Sequence, residues 1–150
     1  MYTYLEDIKQ VKTRHNFPYN LIGKIKDIEH VTTGNPYYYK FTIHNDMKPD
    51  GYNCVINERH FNTGKYTNGS TVVIEYAELK SFMDIGHCLL IRRIEKPAFN
   101  LTGNKYDDML LLLGEVKRIS DTVDVCDSFR SVLNKHYLKY RKAILESKRL

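Results

Sequence analysis

The 150-residue chain has no tryptophan, four prolines, three cysteines and three alanines. Nor has it an apolar run of about 18 residues, which excludes a membrane-spanning helix. Cys54, Cys88 and Cys126 are odd in number and far apart. That spacing excludes a disulfide framework and a CxxC zinc site, and reduced thiols are the expectation. The opening residues, MYTYLEDIKQ, lack the basic-then-apolar layout of a secretory signal, so a cytoplasmic location is expected. The histidines show no HxH or HExxH spacing, and no GxGxxG, GxxxxGK[ST] or GxSxG occurs. Ser120, Ser128 and Ser131 have no evident base partner. The chain therefore reads as a protein without catalytic residues, metal ligands or cofactors, and not as an enzyme. Scarce alanine beside abundant Lys, Ile, Asn and Tyr resembles the coding bias of an AT-rich genome, such as a low-GC bacterium, its plasmid or its phage.

Hydrophobic residues make up 42% of the chain, enough for a core. Lys and Arg number 23 against 18 Asp and Glu, a net charge of +5 that favours a polyanionic partner. Four parts follow one another: an N-terminal arm (1–17), a run of short strands (18–97), a linker (98–105) and two helices (106–150). Period-two alternation predicts strands over 21–31, 37–44, 52–60, 71–81 and 87–95. In the second, Tyr37, Tyr39, Phe41 and Ile43 share one face, and Tyr38, Lys40, Thr42 and His44 the other. Turn chemistry flanks it at Asn35-Pro36 and from Asn45 to Gly51. Five short strands predict a small barrel or sandwich. Beyond residue 106 the period changes. Met109, Leu112, Leu113, Val116 and Ile119 lie at helical spacing after Asp107 or Asp108 as a cap. A second helix is expected from Asp121 or Asp124, carrying Val125, Phe129, Val132, Leu133, His136, Tyr140 and Ile144.

The segment Asn68-Gly69-Ser70-Thr71-Val72-Val73-Ile74-Glu75 resembles the K-G-S-x-V-x-I/V-E stretch of bacterial single-stranded DNA-binding proteins. Asn20-Leu21-Ile22-Gly23-Lys24-Ile25 is similar to that family's opening strand, Lys40-Phe41-Thr42-Ile43 to its second, and Tyr52 to Ile56 to its third. The resemblance spans roughly residues 19–95. It implies a five-stranded OB-fold barrel, so that with the arm and the helical hairpin read from the residues the expected fold is mainly β with C-terminal helices. It also implies cooperative single-stranded DNA binding with little sequence preference, in replication or conjugative transfer. The chain departs from the family in its basic end, Ser147 to Leu150, where the family carries an acidic tip, and in lacking tryptophan.

Such binding needs rings for the bases and cations for the phosphates. Core logic turns Phe41 and Ile43 inward, so Tyr38 and Lys40 are candidates on the outer face. Tyr52, at the start of the third strand, aligns with a stacking aromatic of the family; its parity with Ile56 argues for burial unless a bulge intervenes. Arg59 ends that strand, and Phe61, Lys65 and Tyr66 follow in the loop. Lys24, Lys26 and Lys80 complete the candidate set. Tyr2, Tyr4, Leu5, Ile8 and Val11 of the arm, with Lys9, Lys12 and Arg14 between them, predict homo-oligomerisation by docking on a neighbouring copy. The basic terminal helix reads first as a solvated face and second as a non-specific contact to duplex DNA. The alternatives are an OB-fold protein-interaction subunit of a replication complex and an RNA-binding OB domain.

Overall fold

The computed structural model describes residues 2–8, 20–82, 86–124 and 126–149, and at 77, 78 and 82 the backbone alone. The arm residues Lys9, Val11, Lys12 and Arg14, with Val125 of the second helix, lie outside the described residues. Six strands form: β1 (Tyr2–Tyr4), β2 (Asn20–Val31), β3 (Tyr38–His44), β4 (Tyr52–Asn57), β5 (Thr71–Phe82) and β6 (Gly86–Glu95). Two helices follow, α1 (Lys105–Thr122) and α2 (Asp127–Arg149). The order β1-β2-β3-β4-β6-β5 closes because β5 pairs back onto the first half of β2. β4 and β6 run parallel and the other barrel pairs antiparallel. Five strands thus make a closed barrel with OB-fold topology, and β1 adds a short parallel strand beside β2. The chain divides into two compact units, up to Asn104 and from Lys105 onward.

The alternating pattern explains the core. Leu21 and Ile25, Phe41 and Ile43, Cys54 and Ile56, Val72 and Ile74, Leu89 and Ile91 are all buried in one cluster. Each pair is two or four residues apart, so each strand turns one face inward. One long strand serves two neighbours because β2 is bent. Its register against β3 shifts between Lys26 and Glu29, where Asp27 takes a left-handed φ of 57°. The bulge is held by the segment that carried the family resemblance. Asn68 Oδ1 accepts from Ile28 N at 3.1 Å, Gly69 N donates to Ile25 O at 2.7 Å, and Ser70 O accepts from Ile25 N at 3.0 Å.

A second, smaller cluster joins Ile22, Val73 and Leu101, with Tyr2 and Tyr4 packed against it. Leu101 and its neighbours 98–104 belong to the barrel unit, not to a free linker. Tyr2 Oη accepts from Ala98 N at 2.9 Å. A Cβ on Gly103 would sit 3.0 Å from the Gly23 Cα, so two glycines allow this segment to lie against β2. Asn45 ties three parts together. Its Nδ2 donates to Glu6 Oε2 at 2.6 Å and to Gly103 O at 3.3 Å, while its Oδ1 accepts from Lys48 N at 2.8 Å.

Several boundaries differ from the sequence reading. β4 stops at Asn57, because the Asn57 side chain accepts from Arg59 N at 3.0 Å and turns Glu58–His60 into a 3-10 helix. Tyr37 precedes β3 and is exposed. α1 starts at Lys105, so Asp107 and Asp108 lie in its first turn and do not cap it; α2 starts at Asp127. Arg92 and Arg93, consecutive on β6, are both exposed and both meet Glu75, since a register shift falls between Glu75 and Tyr76.

Within the second unit the helices form a hairpin. Lys148 pairs with Asp107, the Lys117 ammonium lies 5.5 Å from the Tyr137 ring centre, and Arg130 donates to Val123 O at 3.0 Å. Those contacts fix an antiparallel register. Among the described residues no helix is long and apolar enough to cross a membrane.

Candidate nucleic-acid interface

Pairing register, not chain proximity, builds the outer face of β2, β3 and β4. Lys24 stands opposite His44, Lys26 opposite Thr42 and Glu29 opposite Lys40. Across the next pair, Thr42 faces Asn53, Lys40 faces Val55 and Tyr38 faces Asn57. A cross-strand neighbour at this spacing is within side-chain reach. The face therefore gathers Tyr38, Lys40, Thr42 and His44 with Lys24 and Lys26, as their parity predicts. A cleft of about 220 Å³ opens there, lined by Asp27, Glu29, Lys40, Thr42 and Asn53 among others.

The charges on this face are not equivalent. Lys40 is paired with Glu29 at 3.0 Å. Lys26 Nζ donates to Pro49 O at 3.0 Å, a neutral partner that leaves its charge uncompensated. Lys24 is exposed. Partial burial, then the charges of Lys26 and Lys24, hold His44 below its ordinary value of 6.5. His44 is thus neutral at pH 7 and offers a ring and a hydrogen bond instead of a cation.

Other candidates lie elsewhere. Phe61 and Tyr66 are buried in the barrel core and present no ring to a base. The loop folds back over the barrel end: Asn62 Oδ1 accepts from Gly64 N and Asn62 O from Tyr66 N, and Tyr66 Oη donates to Ile94 O at 3.3 Å. Tyr52 keeps its inward parity, since β3 and β4 pair without a shift, and it packs against the core with the Lys48 ammonium 4.3 Å from its ring centre. Arg59 and Lys65 are exposed beside an open cleft that His60, Thr63 and Tyr66 also line. Lys80 is exposed on β5 opposite Cys88. Residues 2–8 of the arm dock on their own barrel. Leu5 is fully buried in the main core, Ile8 packs against it, and Tyr2 and Tyr4 cover Ile22 and Val73. Leu5 is thus covered by its own chain, and Tyr2, Tyr4 and Ile8 are half-buried against it.

One ring cluster escaped the sequence reading. His30 stacks on Tyr39 with ring centres 4.3 Å apart, and Tyr39 leads on to Phe61 at 4.8 Å. Tyr37 meets His30 edge-on at 6.1 Å, and His30 Nε2 lies 2.9 Å from Glu58 Oε2. The Asp27 bulge resets the parity of β2, so alternation counted from Leu21 could not place His30 beside Tyr39. Among the described residues no group of three or more His, Cys, Asp or Glu is arranged to hold a metal ion. Comparison of the chain with family models, with curated proteins and with solved structures finds no match.

Proposed function

We propose that this chain binds single-stranded DNA with little sequence preference, along the outer face of β2, β3 and β4. The observation that carries the reading is the meeting of Tyr38 with Lys24, Lys26 and Lys40 on one face of an OB-fold barrel. That fold offers this face and its loops to oligonucleotides. Tyr38 supplies a stacking surface, while Lys24 and Lys26 neutralise phosphates. A phosphate replaces Glu29 as the partner of Lys40. Thr42, Asn53 and neutral His44 add hydrogen bonds. The similarity of Asn68 to Glu75 to bacterial single-stranded DNA-binding proteins supports the same reading. The protein acts as a non-catalytic binder in the cytoplasm, in replication or in conjugative transfer of plasmid or phage DNA.

Anisotropy of labelled oligo-dT across a salt series tests this. Binding is expected to weaken steeply with salt, and Tyr38→Ala to weaken it by roughly 5- to 150-fold, the value of one stacked base. Lys24→Ala is expected to lower the salt slope by about 0.7. No binding at low salt, or an unchanged Tyr38→Ala, rejects the reading. A matched RNA oligomer bound more tightly would favour an RNA-binding domain instead. The apolar faces of α1 and α2 favour a second reading, a protein-interaction subunit, which absence of oligo-dT binding would leave standing.

A further inference from the structure

The helical hairpin exposes two apolar stripes that meet in one groove. Along α1 and just past its end the stripe is Met109, Leu112, Val116, Ile119 and Val123, in steps of three and four residues. That spacing is the seam of a helix with a second helix laid along it. On α2 the stripe is Phe129, Val132, His136, Tyr140, Ala143 and Ser147, apolar except at His136 and Ser147 and again in threes and fours. Val116 is 62% exposed and Tyr140 53%. Between them runs a groove of about 500 Å³, bordered by Met109, Leu112, Val116, Tyr140 and Ala143 with Ile144 among its lining. It continues past Tyr140 into a cleft of about 230 Å³ toward Leu133.

The occupant follows from geometry and charge. Two stripes flanking one groove match a copy of themselves when two hairpins meet face to face, the arrangement of a four-helix bundle. α1 carries three basic and four acidic residues, and α2 seven basic and two acidic. A two-fold axis parallel to the helices lays α1 of one hairpin over α2 of the other, so the more acidic helix meets the basic one. An axis across the helices would bring the two basic α2 flanks together, which like charges oppose. The register set by Asp107–Lys148 and Lys117–Tyr137 puts Glu115 level with Lys139. Eight large apolar side chains of the two stripes are each 39–62% exposed, a continuous surface of the kind that an interface core covers.

We propose that the hairpin is a self-association surface, on which a second copy of this chain seats its own hairpin with α1 over α2 and Glu115 facing Lys139 of that copy. Each dimer then carries two barrels, so two weak contacts to one polymer act together. The proposal does not depend on what the barrels bind.

Sedimentation equilibrium of the full chain without nucleic acid tests it, from about 1 to 100 μM. The expected mass is twice 17.7 kDa. Val116→Glu and Tyr140→Glu change exposed positions and should each weaken the dimer at least tenfold, with circular dichroism confirming the fold. Glu115→Lys and Lys139→Glu should each weaken it severalfold, and the double exchange should restore it. A monomer at every concentration overturns the proposal. So does a dimer that Val116→Glu and Tyr140→Glu leave unchanged, which would place the contact on another surface.

Discussion

The two units treat their apolar residues in opposite ways. Among the described residues, 20 of the 21 buried apolar side chains lie in the barrel unit, and the hairpin buries Ile144 alone. Of 13 large apolar side chains left exposed, 10 are on the hairpin. The sequence gives both units apolar residues at regular spacing. The barrel closes on itself, so every strand has an inward face to fill. Two helices make a single layer, and a single layer has no far side against which to bury its second face. The barrel is therefore complete as a folded object, and the hairpin calls for a further layer.

The sharpest way to break this contrast is to truncate one apolar residue in each unit. Ile74→Ala should lower barrel stability by about 2–5 kcal/mol, through lost burial and the cavity left behind. Leu138→Ala, at a position 63% exposed, should change stability by no more than about 0.5 kcal/mol. Urea unfolding followed by tyrosine fluorescence and circular dichroism measures both. Equal losses would mean that the hairpin is no open layer.

Next in size is Asn45→Ala, which leaves the Lys48 amide only its weaker bond to Asn45 O and takes the Nδ2 donor from Gly103 O and Glu6 Oε2. It should cost about 1–3 kcal/mol, the range for unsatisfied buried groups. The same variant should expose residues 98–104 to faster hydrogen exchange, because Asn45 links them to the β3–β4 turn. Unaltered exchange there would show that Leu101 alone anchors the segment.

Tyr66→Phe sharpens the comparison inside the barrel. It should lose about 0.5–1.5 kcal/mol with the bond to Ile94 O, yet leave oligo-dT binding unchanged. Tyr38→Ala should do the reverse. A Tyr66→Phe variant that binds DNA poorly would reinstate the loop as a contact.

The smallest effect concerns pH. His44 is held below 6.5 in the fold, so the unfolded chain takes up its proton first. Stability should fall as pH drops through 6.5 toward the lowered folded value, and below that value the loss is complete. The full stability is retained at pH 7 and above. Because His44 keeps contact with water, the slope should be shallow, and His44→Gln should flatten it. A slope that persists in His44→Gln would assign it to another group.

Much of the barrel was legible because alternation is a local signal. Phe41 with Ile43, Cys54 with Ile56 and Val72 with Ile74 all face inward as their parity predicts. The outer set of Tyr38, Lys40, Thr42 and His44 followed from the same count. What parity could not reach was any residue beyond a bulge or outside a strand. Asp27 resets the alternation before His30. Phe61 and Tyr66 read as loop rings open to solvent, but Asn62 turns their segment back into the barrel end. The arm's Leu5 read as apolar surface in search of a cover, and the cover is its own core.

By itself, the sequence determined the class of each segment: five alternating strands, a turn-rich loop before the fourth, and two amphipathic helices. Periodicity fixes which side chains share a face, because the backbone repeats every two or 3.6 residues. Only the tertiary structure decided what each face meets. The bend of β2, the docking of β1 and Leu101 on the barrel, and the partners of Lys24, Lys26 and Lys40 depend on residues distant in the chain. No local repeat encodes the distance between them.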